Sequence, residues 1–179
     1  MSSDEIGQFL SKDTLDALQV FITSDDVEKA ISAAVKTSDA FGAGPAFQKI
    51  ADDQEESEGK LIESFHKNLV LLIQKTWVEK SDEELKAQVL YHLEEFNKQI
   101  KEKLYEKAYK SLFGIVSDVV YLMFGNQTKT KDFDQYALRI DPEFGIFWWY
   151  ITSLPQTAQW PAEKYRIAIL LGIYFLANY

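Results

Sequence analysis

Two segments of the chain pair a histidine with a carboxylate at a spacing that metal sites in helical bundles use. Glu63-Ser-Phe-His66 has the Glu-x-x-His spacing, and His92-Leu-Glu-Glu95 follows on the next expected helix. Di-iron and di-manganese bundles hold their ions with such pairs from facing helices. On a helical wheel, however, Glu63 lies about 140° and Glu95 about 120° from the apolar stripe of its helix. Both carboxylates should therefore point outward, and we predict no metal and no cofactor.

Other catalytic chemistry has little support in the sequence. The 179 residues include two histidines and no cysteine, which excludes disulfides, thiolate catalysis and cysteine-ligated metal sites. Neither a nucleophile elbow nor a phosphate-binding glycine loop occurs. Carboxylates and tyrosines are plentiful, but no spacing brings them together. We therefore predict no catalytic residues and a protein that is not an enzyme.

A dense run of aromatic residues near the C-terminus, Phe144-Gly-Ile-Phe-Trp-Trp-Tyr150, could supply a binding surface. Tryptophan and tyrosine contribute large contact areas at low entropy cost. Adjacent residues on a helix project about 100° apart, so two neighbouring tryptophans cannot face one core. Either a second subunit covers the other face, giving a homodimer through residues 144–179, or the acidic first third folds back over it. The candidate partner or ligand contacts are Trp148, Trp149, Tyr150, Trp160 and Tyr174.

The negative charge of the chain is confined to its first third. Residues 1–58 carry thirteen acids and four lysines, residues 59–179 carry fifteen acids and fifteen bases, and the net charge is −9. This acidity argues against nucleic-acid binding, which depends on basic residues that neutralise phosphates. The acidic run is either a docking site for a basic protein or an ordinary solvated turn. Its docking candidates are Asp52, Asp53, Glu55, Glu56 and Glu58.

Apolar residues recur at helical spacing almost everywhere. One stripe runs from Leu85 to Leu122 with an average step of 3.7 residues, which predicts a single helix over 82–124, capped by Ser81 and Glu84. A second stripe predicts a helix over 60–79, and the short connection makes the two an antiparallel hairpin. The apolar face widens after Tyr105. This widening predicts that Leu112, Phe113, Val116 and Val120 are core, whereas residues 101–103 are solvated.

Shorter helices are expected on both sides of this hairpin. Residues 13–22 and 25–38 form two of them, the second capped by Ser24. A third begins at Pro142, since proline suits the first turn of a helix. The last, 162–178, is apolar nearly all round from Ile167 and therefore belongs in the middle of the fold. Gly172 costs about 1 kcal/mol there relative to alanine, which a close helix crossing could offset.

The sequence therefore predicts an all-α, single-domain bundle with an acidic segment (1–58), a central hairpin (59–125) and an aromatic helical pair (141–179). The longest apolar run is eleven residues, too short for a membrane span, and no signal peptide is recognisable, so we expect a cytoplasmic protein. The leading hypothesis is a non-enzymatic helical module that binds another protein or itself. The alternative is a bundle that binds a small apolar ligand near the aromatic segment.

Overall fold

The protein is an all-α bundle, as the sequence predicts. Its structure, a computed structural model, describes residues 11–39, 47–49, 56–76, 83–124 and 142–177. None of the helices in these ranges is both long enough and apolar enough to cross a membrane. The described helices of twelve residues or more are α1 (Lys12–Thr23), α2 (Val27–Asp39), α3 (Glu56–Thr76), α4 (Glu83–Lys101), α5 (Tyr105–Phe124), α6 (Pro142–Ser153) and α7 (Ala162–Ala177).

Helix α7 is the centre of the bundle, which confirms the position predicted from its apolar composition. It packs against α2, α3, α5 and α6. Every residue from Lys164 to Ile173 is buried. A helix covered on all sides needs apolar residues at every angle, and the run from Ile167 supplies them.

Helices α1 and α2 form a helical hairpin whose ends are capped by local side chains. Ser11 accepts a hydrogen bond from the Thr14 amide at the start of α1. Asp26, rather than the predicted Ser24, caps α2, because its carboxylate accepts from the amides of Glu28 (2.9 Å) and Lys29 (3.3 Å). Ser24 instead ends α1 as its C-cap.

The prediction of one uninterrupted helix over 82–124 is wrong, because the chain turns between α4 and α5. The Leu104 amide donates to the Gln99 carbonyl (2.8 Å) and the Lys103 amide donates to the Ile100 carbonyl (3.0 Å). Lys103 has a φ of 60°. This pattern is a Schellman motif, which ends a helix with a left-handed residue and most often uses glycine. Lysine occupies that position here, so the sequence carries no glycine or proline to mark the turn.

The hairpin at the centre of the prediction is therefore replaced by a different one. Helices α4 and α5 fold back on each other, and the Ser111 hydroxyl donates to the Gln99 side chain across them (2.8 Å). Helix α3 contacts this pair more sparsely, at an aromatic contact between Phe65 and Phe96, and packs more extensively on α7. The apolar spacing keeps its helical phase through residues 100–108, so it gave no indication that one helix ends and another begins there.

The predicted core of α5 is largely confirmed. Leu112, Val116 and Val120 are buried, and residues 101–103 are exposed. Phe113 is only half-buried, with its ring edge-on to Tyr109 at a centroid distance of 5.0 Å. The widened apolar face of α5 therefore reaches the rim of the core at Phe113 rather than its interior.

Candidate functional site

The histidine and carboxylate pairs do not converge on one point. Glu63 is exposed, and His66 Nδ1 lies 2.8 Å from the Asn97 side-chain amide nitrogen. His92 lies near Asp118 of α5; burial raises the pKa of Asp118, and the charge of His92 partly opposes that shift. Among the described residues, no group of three or more histidine, aspartate or glutamate side chains could hold a metal ion.

Two of the five aromatic contact candidates are core residues, so their assignment as contacts is wrong. Trp149 and Tyr150 are buried within the chain. The Tyr150 hydroxyl donates to the Ala168 carbonyl (2.8 Å), and burial, followed by the influence of Tyr109, raises its pKa well above the usual value. Trp148 is half-buried against the same core. Helix α6, which carries both tryptophans, packs against α7.

The other two candidates, Trp160 and Tyr174, are half-buried beneath residues of the first third. Trp160 packs edge-on against Phe21 of α1 at a centroid distance of 5.9 Å. Tyr174 packs edge-on against Phe47 at 6.2 Å. In the described residues, the first third therefore packs over Trp160 and Tyr174.

The loop between α6 and α7 is fixed by two tyrosine hydroxyls. Tyr109 donates to the Pro155 carbonyl, and Tyr165 donates to the Ala158 carbonyl. The Tyr165 oxygen also accepts from the Trp160 amide (3.1 Å). Burial raises the pKa of Tyr109, so this hydroxyl remains protonated. Both rings pack against Trp160, and the loop is thereby held in place on the core.

Only one of the acidic docking candidates can be placed, and it does not face solvent. Asp52, Asp53 and Glu55 lie outside the described residues, as does the side chain of Glu56. Glu58 is buried, with 6% of its surface exposed. The prediction that Glu58 is an acidic docking residue is therefore wrong, because its carboxylate is used inside the fold.

Glu58 belongs to a buried charged cluster around the first two turns of α7. Its Oε2 accepts a hydrogen bond from Arg166 Nε at 3.1 Å, and Arg166 Nη1 donates to Glu163 at 2.7 Å. Burial alone would lower the pKa of Arg166. The hydrogen bonds that Arg166 makes with Glu58 and Glu163, together with the negative charges of both glutamates, outweigh this effect and raise the pKa. Burial and the charge of Glu58 raise the pKa of Tyr105, whose hydroxyl lies 3.4 Å from the Glu58 carboxylate.

A second buried cation, Lys164, joins α7 to the end of α1. Its ammonium donates to the carbonyls of Ile22 (3.0 Å) and Ser24 (2.6 Å). The same nitrogen lies 4.5 Å from the ring centroid of Trp160, a cation–π distance. Positive charge near the last carbonyls of a helix is stabilising. Burial lowers the pKa of Lys164, and the nearby charge of Asp25 partly opposes this shift.

These charged groups are arranged to hold helices together rather than to react. The Glu58 carboxylate is bound to a guanidinium, which removes it as a general base at neutral pH. The Lys164 ammonium is occupied by two carbonyls. Sequence reasoning missed Lys164 and Arg166. The sequence did contain a signal for them. Because the helix is apolar on all sides from Ile167, the turn directly before Ile167, which carries both cations, should also lie in the core.

An open groove lies between α1 and α2. Its volume is about 550 Å³. Ala17, Val20 and Ala33 give it an apolar floor, and Val20 is 48% exposed. The polar residues that line it are Asp16, Asp26, Glu28, Lys29, Ser32 and Lys36. A half-exposed valine between small residues leaves room for the side chains of another helix.

No protein-family model matches this chain, and no curated protein or solved structure matches it either. Its function is therefore inferred from the geometry and chemistry of the described residues.

Proposed function

We propose that the protein is a non-enzymatic, cytoplasmic interaction module that binds a basic amphipathic helix of a partner protein in the groove between α1 and α2. The observation that carries the proposal is the exposed apolar floor of this groove around Val20. Amphipathic helices bind by placing their apolar face in such grooves.

The small side chains of the groove favour a helix as the occupant. Small side chains at Ala17, Ser32 and Ala33 line it, and small residues let two helices approach closely. The apolar side chains of an incoming helix then contact Val20 along the floor. Ridges of one helix settle into grooves of this kind in ordinary helix packing, which gives the interaction geometric specificity.

Charge favours a basic partner. Residues 12–39 carry six acids and three lysines. Three of these acids, Asp16, Asp26 and Glu28, line the groove and are exposed. They outnumber the two exposed lysines that also line it, Lys29 and Lys36. Complementary charge at the rim accelerates association and selects among partners more than it adds affinity. A partner helix with lysine or arginine beside its apolar stripe meets both requirements.

A small apolar ligand near the aromatic segment is less well supported by the packing around α6 and α7. Trp149 and Tyr150 are buried there. A methyl group added at Gly172 would lie 3.1 Å from Tyr150 Cε1 and 3.2 Å from Ile151 Cδ1, closer than ordinary contact. The space between these helices is filled by the chain itself.

The test uses a fluorescently labelled amphipathic peptide built from leucine and lysine, titrated with the protein and followed by fluorescence anisotropy. Val20→Gln replaces the exposed apolar side chain of the groove floor without adding charge. Leu71→Gln is the matched control, because Leu71 on α3 is 52% exposed but lies outside the groove. We expect Val20→Gln to weaken binding about tenfold and Leu71→Gln to leave it unchanged.

A peptide with glutamate in place of lysine gives the charge control and should bind more weakly. The groove is refuted as a docking site for a basic helix if the two variants lose the same affinity or if the two peptides bind equally well. It is also refuted if no peptide binds at about 1 mM protein.

A further inference from the structure

A second, smaller pocket opens where α3 crosses the turn between α4 and α5. Its volume is about 240 Å³, below the roughly 300–1,000 Å³ of pockets that hold drug-sized ligands. Gly59 of α3 borders it, and a Cβ built on Gly59 would meet no atom within 4 Å. The pocket therefore has free space at the surface of α3, and it shares no lining residue with the α1–α2 groove.

The floor of this pocket is apolar and its rim is cationic. Ile62 and Ile100 are buried residues that form the floor. Lys101 and Lys103 line it from the turn, and both are exposed. Among the described residues, neither lysine forms an ion pair. Two ammonium groups beside an apolar surface favour a molecule that has an anionic group and an apolar body.

The inner end of the pocket limits the charge of that molecule. The Glu58 carboxylate lies there with the Tyr105 hydroxyl 3.4 Å away. Arg166 neutralises Glu58 through the 3.1 Å hydrogen bond from its Nε. The two lysines therefore leave the pocket with an excess of positive charge, but the nearby carboxylate disfavours a dianion. A single negative charge is the best match.

We propose that the pocket beside Gly59 binds a small organic carboxylate, with its anionic group between Lys101 and Lys103 and its apolar body on Ile62 and Ile100. The turn that the sequence failed to predict creates this site, because the left-handed Lys103 directs the chain from α4 into α5 next to Ile100. A continuous helix would carry residues 101–105 along one axis instead.

The probe is benzoate, titrated into the full chain and followed by the backbone amide signals of residues 59 and 101 in two-dimensional NMR. Benzamide, which is neutral, and phenyl phosphate, which is a dianion near neutral pH, are the comparison compounds. We expect benzoate to bind about tenfold more tightly than either. Binding should also weaken as salt rises, because the lysines are exposed.

Two pairs of variants separate the pocket from general effects. Gly59→Leu fills the free space, whereas Gly114→Leu is its control, because a Cβ at Gly114 on α5 also meets nothing within 4 Å but lies elsewhere. Lys101→Gln removes one rim charge, whereas Lys107→Gln removes an exposed charge on α5 that does not line the pocket. We expect Gly59→Leu to abolish benzoate shifts and Lys101→Gln to weaken binding several-fold, roughly one lost charge contact.

Both controls should bind like the parent. The proposal would be overturned if benzoate shifts survive in Gly59→Leu or if Lys101→Gln and Lys107→Gln have equal effects. It would also be overturned if benzamide or phenyl phosphate binds as tightly as benzoate or more tightly, or if about 10 mM benzoate causes no shifts.

Discussion

Replacing Arg166 by methionine removes the central partner of the buried charged cluster while keeping a side chain of similar length. Arg166 is 1% exposed, and it bonds Glu58 through Nε and Glu163 through Nη1. Among the described residues, the variant leaves the buried Glu58 carboxylate with the Tyr105 hydroxyl, 3.4 Å away, as its hydrogen-bond partner. Breaking a buried pair by removing one partner costs about 3–5 kcal/mol, because the remaining charge is left uncompensated.

The structure predicts that the opposite substitution costs less. In Glu58→Gln the amide oxygen can still accept from Arg166, and Glu163 still neutralises the guanidinium at 2.7 Å. The expected loss is that of one charged hydrogen bond, about 1.5–3 kcal/mol. The double variant Glu58→Leu with Arg166→Met leaves neither charge buried and should be more stable than Arg166→Met alone.

The measurement is the free energy of unfolding from urea titrations followed by tryptophan fluorescence, with the slopes compared to confirm that each variant unfolds over the same surface. Three results would refute the reasoning: a loss below about 1 kcal/mol for Arg166→Met, a larger loss for Glu58→Gln than for Arg166→Met, or a double variant no more stable than Arg166→Met. Any of them would mean that Arg166→Met does not leave an uncompensated buried charge at Glu58.

Three further substitutions test other parts of the fold. Gly114→Ala should stabilise the protein by up to about 1 kcal/mol through helix propensity. Gly172→Ala should be less stable than the Gly114→Ala variant by about 1–3 kcal/mol, because the new methyl group crowds the Tyr150 ring. Equal free energies of unfolding for the two variants would contradict the close helix crossing at Gly172. Because burial raises the folded-state pKa of Asp118 above its unfolded value, its ionisation destabilises the fold above the folded pKa, and this cost vanishes below the unfolded pKa of about 3.9. Asp118→Asn should therefore have the higher melting temperature at pH 7 and lose that advantage below about pH 4, whereas a difference independent of pH would contradict this assignment.

The sequence was sufficient to predict elements whose signals are local. Helices α1 and α2 begin and end within two residues of their predicted bounds, and α6 begins at Pro142 as expected. The central position of α7 followed from composition alone, since a helix without a polar face has no stable place at the surface. The close crossing suggested for Gly172 is also present, against Tyr150 and Ile151.

The turn at residues 102–104 could not be predicted, because it contradicts the local preferences of its residues. A left-handed lysine costs roughly 1 kcal/mol relative to glycine. That cost is offset because the turn lets α4 and α5 bury apolar faces against each other. The residues in this contact are far apart in sequence, so local patterns do not indicate it. Periodicity reports which residues share a face and not where the axis reverses. The same limit explains the error at Glu58, whose partner Arg166 is 108 residues away.

The polar contacts of α7 determine how the acidic first third joins the aromatic helices. Apolar contact is non-directional, so a fully apolar α7 would accept neighbouring helices at many offsets. Hydrogen bonds require distance and angle together. Lys164 fixes the end of α1 through the carbonyls of Ile22 and Ser24, and Arg166 fixes the start of α3 through Glu58. Both cations lie on the first two turns of α7, so a single helix end aligns two separate elements. The groove between α1 and α2 and the pocket beside Gly59 are therefore held in position by the same short segment, Lys164-Tyr165-Arg166, although they share no lining residue.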